Sequence, residues 1–248
     1  MGGTGCRRMA ALLLGIGLLA AGCSDQEPSS VAPTTAAAAP AKACLEGGEQ
    51  SFRFPAADGD TVGVVLGEGR TGVVLGHQAR SDLCEWLPRA RALAEHGRMV
   101  LAFDFGPSAR IEQDMAAAAA ELRRRGATRL VLVGSSMGGT AAIAAAAQIT
   151  PPVAGVVSLS APEDYQGTDA AAAAAKLRVP VLFVAARDDP PFDDAAKAMY
   201  QAVPGSDKRL LLLDGGGHGT SLVEFGDQAP RVRAELDRFL AANLDTGG

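Results

Sequence analysis

From residue 51 onward, apolar and polar positions fall into two alternating patterns. Short apolar runs, β-branched and too brief for helices, predict strands at Ser51–Phe54, Thr61–Leu66, Thr71–Gly76 and Met99–Phe103. Further runs predict strands at Leu130–Val133, Val153–Ser160, Val181–Ala186 and Arg209–Leu213. Longer segments between them carry helical spacing. They predict helices from Asp82 to His96 (interrupted near Pro88), over Glu112–Arg125, in the small-residue run after Gly138, and over Asp194–Ala202 and Gln228–Asn243. The turn signals Asp58-Gly59-Asp60 and Gly67-Glu68-Gly69 separate the first three strands, which read as an antiparallel edge. Strands that alternate with helices must form a mostly parallel sheet, because each crossover lays a helix on one face or the other. The predicted class is therefore α/β, with about eight strands and helices on both faces.

One junction in this pattern carries chemistry. The strand ending at Val133 runs into Gly134-Ser135-Ser136-Met137-Gly138 and then directly into a helix. A strand that turns this sharply leaves no room for side chains, so glycines two residues either side of Ser136 let the backbone fold back. Ser136 is lifted clear of both elements, beside free N–H groups at a helix start where developing negative charge is favoured. Ser135 has no glycine two residues before it, so the spacing selects Ser136.

With its flanking strand and helix, this junction resembles the nucleophile elbow of the α/β-hydrolases. The resemblance covers approximately Ser51 to Asn243 and implies a triad in the chain order serine, acid, histidine. Of the three histidines, His218 lies in the glycine-rich segment Asp214–Gly219 after the last predicted strand, which suits a base that must approach the serine. His96 falls at a helix end, and His77 suits a role in shaping its loop by hydrogen bonding. Arg187-Asp188-Asp189-Pro190 resembles the family's acid turn, where the acid follows a small residue by three and precedes proline, which selects Asp189. Asp188 is the competitor, and Glu163 and Asp164 are remote ones. The resemblance also implies an oxyanion hole, with Met137 N–H as one donor and Gln78, or else Ala79, as the other. Many family members carry His-Gly where this chain has His77-Gln78. The interval Ala161–Arg178, where relatives often insert a lid, has space for one short helix, so the site should be open and dienelactone-hydrolase-like. Trp86, Phe105, Tyr165, Phe192 and Leu222 are expected near its mouth, either as an acyl pocket or as ordinary packing.

The amino-terminal region follows a different logic. Arg7-Arg8, the apolar segment Met9–Gly22 and then Cys23 form a pattern too short to span a membrane and suited to a signal peptide. Leu19-Ala20-Ala21-Gly22-Cys23 resembles a bacterial lipoprotein box, which implies lipidation of Cys23 and residence on the extracytoplasmic face of the cell membrane. Residues 1–22 are thus expected to be a signal peptide, 23–43 a disordered Ser/Thr/Pro/Ala tether, and 44–248 the hydrolase domain. An ordinary secretory signal is the alternative, and it gives the same compartment.

Cys6 would leave with the signal and Cys23 would carry lipid, which leaves Cys44 and Cys84 as a disulfide or as two free thiols. Net charge is −5 and becomes −7 once Arg7 and Arg8 are removed, so no cationic stripe is present to displace counterions from nucleic acid. No metal-ligand cluster or phosphate-binding loop is visible, and the expected chemistry uses no metal or cofactor. The expectation is a serine hydrolase, a carboxylesterase first, acting on a small acyl ester through an acyl-enzyme. Thioesterases, peptidases and acyltransferases use the same triad. A lipoprotein that binds a ligand or envelope component without catalysis is the reading from another class. Oligomeric state and acyl preference leave no mark in the sequence.

Overall fold

The computed structural model describes residues 39–245. The signal segment, Cys23 and the tether as far as residue 38 lie outside the described residues. The chain opens with strands β1 (Ser51–Ala56), β2 (Gly59–Leu66) and β3 (Thr71–Gly76). A 3-10 turn over Leu83–Trp86 leads into helix α1 (Leu87–Ala94). Alternation then sets in with β4 (Met99–Phe103), α2 (Ile111–Arg124), β5 (Arg129–Ser135), α3 (Met137–Ala146) and β6 (Gly155–Leu159). A small hairpin, β7 (Asp164–Tyr165) and β8 (Thr168–Asp169), precedes α4 (Ala170–Ala174). The chain closes with β9 (Val181–Ala186), α5 (Phe192–Ala202), β10 (Lys208–Leu213), α6 (Ser221–Glu224) and α7 (Ala229–Leu244).

Eight strands form one sheet in the order β1-β2-β4-β3-β5-β6-β9-β10. β2 runs antiparallel to β1 and β4, and the remaining pairs are parallel. Side chains along the central strands point alternately to two apolar layers. Leu130 and Leu132 of β5 join α2, α3 and α4 on one face, while Val131 and Val133 join α1 and α7 on the other. Pro55 is tolerated inside β1 because that strand lies at the sheet edge, where a missing N–H leaves no ladder partner unpaired.

Two local features differ from the sequence expectation. The helix foreseen from Asp82 begins as a 3-10 turn capped by the Asp82 carboxylate on Cys84 N–H, and only becomes α-helical with Pro88 in its first turn. The interval after β6 holds a two-residue-per-strand hairpin as well as the short α4, turned by Gln166 and Gly167, both at positive φ. Strands of two residues are too brief to leave a periodic signal.

The Cys44 and Cys84 sulfurs form a disulfide, with Cα atoms 5.7 Å apart. Nearby, Lys42 Nζ hydrogen-bonds to Asp82 at 2.9 Å and Asp104 at 3.1 Å, so the first described segment is held to the start of the 3-10 turn.

Candidate active site

β5 ends in Gly134-Ser135 and α3 begins at Met137, which leaves Ser136 alone at the corner with φ 50° and ψ −114°. Left-handed φ is costly for a residue with a Cβ, roughly 1–3 kcal/mol, and persists only where the surroundings enforce it. The enforcement comes from crowding. A Cβ on Gly134 would fall on the Gly138 carbonyl, and one on Gly138 would fall on the Gly76 carbonyl and lie 2.8 Å from that of His77. These glycines bring β5, the start of α3 and the loop after β3 into backbone contact, and no other residue fits.

Ser136 N–H donates to Leu159 O at 2.7 Å, which pins the corner to β6. Its hydroxyl makes no hydrogen bond among the described residues, and Met137 N–H at the helix start has no acceptor there. Ser135 is placed differently. Fully buried, its Oγ accepts from Thr220 N–H at 3.0 Å and donates to Gln78 Oε1 at 3.2 Å. The preference for Ser136 within the serine doublet thus has a structural counterpart: one hydroxyl is unengaged, the other internally consumed.

His218 follows β10 on a loop containing Gly215, Gly216, Gly217 and Gly219, and its Nδ1 lies 2.8 Å from Asp189 Oδ2 at the end of β9. With Nδ1–H donated to a carboxylate, Nε2 is left as the proton acceptor. Asp188 is exposed and uses only its backbone here, N–H to Gly215 O at 3.0 Å. Glu163 is exposed, and Asp164 caps the hairpin turn through Gly167 N–H, so neither approaches the imidazole as a hydrogen-bond partner. No hydrogen bond joins His218 to Ser136 in this conformation. The loop nonetheless reaches the nucleophile strand, since Thr220 is bonded to Ser135. Such contacts are commonly long before substrate binds.

The loop after β3 brings a correction. Gln78 N–H, expected as the second oxyanion donor, is donated to Glu85 Oε1 at 2.8 Å and is not offered to Ser136. Burial pushes the Glu85 carboxyl above its ordinary range. Ala79 N–H has no acceptor among the described residues and is the remaining candidate on this loop. The Gln78–Glu85 bond joins a loop to a turn seven residues on, a contact with no signature in spacing.

His77 is 5% exposed and both ring nitrogens are occupied. Nε2 accepts from Phe105 N–H at 3.0 Å, so Nδ1 carries the proton and donates it to Gln78 O at 2.8 Å. Burial lowers its pKa, and the imidazole stays neutral as a brace between two loops. Among the aromatic candidates, Phe192 lies against His218 with ring centroids 4.3 Å apart, and Phe105 packs on His77 at 5.0 Å. Trp86 is fully buried, donating Nε1–H to Gly76 O at 2.9 Å, and is a core residue and not part of the mouth. Leu222 is also buried, under Gly217, whereas Tyr165 is half-buried on the hairpin. Among the described residues no group of His, Cys, Asp and Glu side chains is arranged to hold a metal ion.

An eight-stranded, mostly parallel sheet with a serine at a glycine-framed strand-to-helix corner defines a hydrolase of the α/β-hydrolase fold. Residues 91–219 match the profile of the dienelactone hydrolase family, and the chain belongs to that family. No curated relative matches the sequence. Among solved structures, the chain is similar to a dienelactone hydrolase from Anabaena variabilis, with TM-score 0.65 and 22% identity over 79% of this chain and 98% of that one. It is similar as well to an esterase from Pyrococcus furiosus, with TM-score 0.64 and 17% identity over 78% of this chain and 92% of that one. An esterase domain from a Rhodothermus marinus protein aligns with TM-score 0.63 and 21% identity over 77% and 97%. At these identities the likeness is one of fold.

Proposed function

We propose that this chain is a lipid-anchored, extracytoplasmic serine hydrolase that cleaves small carboxylic esters through Ser136, His218 and Asp189. The observation that carries the reading is the 2.8 Å contact between Asp189 and His218, on loops beyond two neighbouring parallel strands of the sheet whose central strand β5 ends at the serine corner. Ser136 Oγ attacks the ester carbonyl carbon while His218 Nε2 takes its proton, and Asp189 stabilises the imidazolium. The oxyanion is held by Met137 N–H and Ala79 N–H. His218 returns the proton to the departing alcohol as the C–O bond breaks, leaving an acyl group on Ser136. Water then repeats the sequence: His218 takes its proton, hydroxide attacks the acyl carbon, and Ser136 leaves protonated with release of the acid.

The setting has separate support. The leader pattern ending at Cys23 suggests lipidation, with the residues between Cys23 and Pro40 as a tether to a catalytic domain that already holds Pro40 and Lys42, and the Cys44–Cys84 disulfide suits an oxidising compartment. A short interval between β6 and β9, holding only a small hairpin and α4, favours an open site. The decisive experiment is hydrolysis of a p-nitrophenyl ester series by the wild type and by Ser136→Ala, together with fluorophosphonate labelling. Turnover and labelling that vanish in the variant support the reading. A folded wild type that neither turns over any ester nor takes the label would point to a binding protein on the same fold.

A further inference from the structure

Ser135, the residue just before the nucleophile, stands at the meeting point of three segments. It is fully buried, yet its hydroxyl is satisfied on both sides: Thr220 N–H donates to it, and it donates to the Gln78 side-chain carbonyl. Thr220 lies two residues after His218, and Gln78 lies one residue before Ala79. The Gln78 backbone is fixed in turn by the Glu85 carboxylate. Gly219 completes the junction. Its backbone is left-handed at φ 57°, and a Cβ there would fall on both Ser135 Oγ and Gln78 Oε1. The histidine loop is therefore seated directly on this pair of polar groups.

The seat matters because the loop has little else to hold it. Four glycines in five residues around His218 supply no side chains, and freezing them costs more conformational entropy than for other residues. Within the loop, His218 N–H donates to Ser221 Oγ and Ser221 Oγ donates back to His218 O, which shapes the turn without attaching it to the nucleophile strand. The Asp189 contact orients the ring from β9. The bond from Thr220 to Ser135 is what ties the loop to β5 itself.

We infer that Ser135 and Gln78 are positioning residues that dock the His218 loop and the oxyanion loop onto the end of the nucleophile strand, setting base and oxyanion donors in register through one buried hydroxyl. This rests on the hydrolase reading above. Neither side chain touches substrate. Each acts through His218 or Ala79, where a displacement of about 1 Å costs up to roughly 100-fold in rate.

The test uses full-length protein carrying Ser135→Ala, Gln78→Leu, both changes, or the control Ser158→Ala. Ser158 is another buried serine, on the adjacent strand β6, whose hydroxyl has no partner among the described residues. The two single variants are expected to lose kcat by roughly 10- to 100-fold with little change in KM. The double variant should lose little more than either single, and Ser158→Ala should match the wild type. Hydrogen exchange at the Thr220 amide should accelerate in Ser135→Ala, a readout that a general loss of stability would not confine to that site. Should Ser135→Ala fail to fold, Gln78→Leu decides the question alone. Folded variants with wild-type kcat and wild-type fluorophosphonate labelling would overturn the positioning role while leaving the hydrolase reading intact. A folded wild type inert to both esters and probe would overturn both.

Discussion

Two aspartates one residue apart meet different fates because the turn after β9 points only one of them at the imidazole. Asp189 is bonded to His218, whereas Asp188 is exposed and holds Gly215 through its backbone. Asp189→Asn should lower kcat by about 10⁴-fold by favouring the wrong histidine tautomer, while Asp188→Asn should leave it nearly unchanged, as steady-state assays on one ester will report. His77 permits a prediction in pH. Burial holds its pKa below the ordinary 6.5, so as pH falls past about 6.5 the unfolded chain takes up a proton that the folded chain resists. Its contribution to stability is thus intact above that pH and declines below it. Glu85 and Glu224, raised by burial from 4.5, give the opposite slope as pH rises above that value, so the comparison must isolate His77. Between pH 7 and 5 the melting temperature should drop more steeply for the wild type than for His77→Gln. At this scale the sequence discloses what a local turn demands, such as the acid before Pro190 or the histidine among glycines. Glu85, by contrast, is an ordinary acidic residue in a helix start, and nothing marks it as the acceptor that removes Gln78 N–H from the site.

At the scale of elements, the corner between β5 and α3 is the least forgiving part of the molecule. The whole of α3 is buried, and its alanines and glycines are what allow it to lie against β5, β6 and α2 at once. Gly134→Ala or Gly138→Ala would set a methyl group on a backbone carbonyl, which cannot move without shifting a second element. Both variants should accumulate poorly or melt well below the wild type by circular dichroism, whereas Ala144→Gly at the far end of α3 should cost only about 1 kcal/mol. The large elements were legible because each is long enough to show a period and the apolar runs of the inner strands are buried on both faces. Their ends and the smallest pieces were not. The β7–β8 hairpin rests on two residues per strand, and the 3-10 turn at Leu83 arises from a side-chain cap on Cys84 N–H. The burial of Trp86 had no local cue either, since its indole N–H reaches across to Gly76 O on β3.

For the whole molecule, the disulfide and the leader make claims that can be separated. Replacing Cys44 and Cys84 together by serine releases a link across 40 residues and should lower stability by about 3–4 kcal/mol in denaturant titrations, with the mutant still folding. Cys23→Ala, in cells, should move the protein from the membrane fraction to the soluble one if the leader is a lipoprotein signal.

The same sulfur bridge has a topological corollary. Residues 44 to 84 form a covalent ring that contains β1, β2 and β3. A protease that nicks the exposed Asp60 turn, or any other peptide bond inside this ring, cuts the chain without parting it: both pieces stay hooked together until a reductant arrives. A nick ahead of Cys44 has no such safeguard. If the amino terminus is lipid-anchored as proposed, a cut upstream of Cys44 would free the domain, whereas a cut between Cys44 and Cys84 would leave it on the membrane.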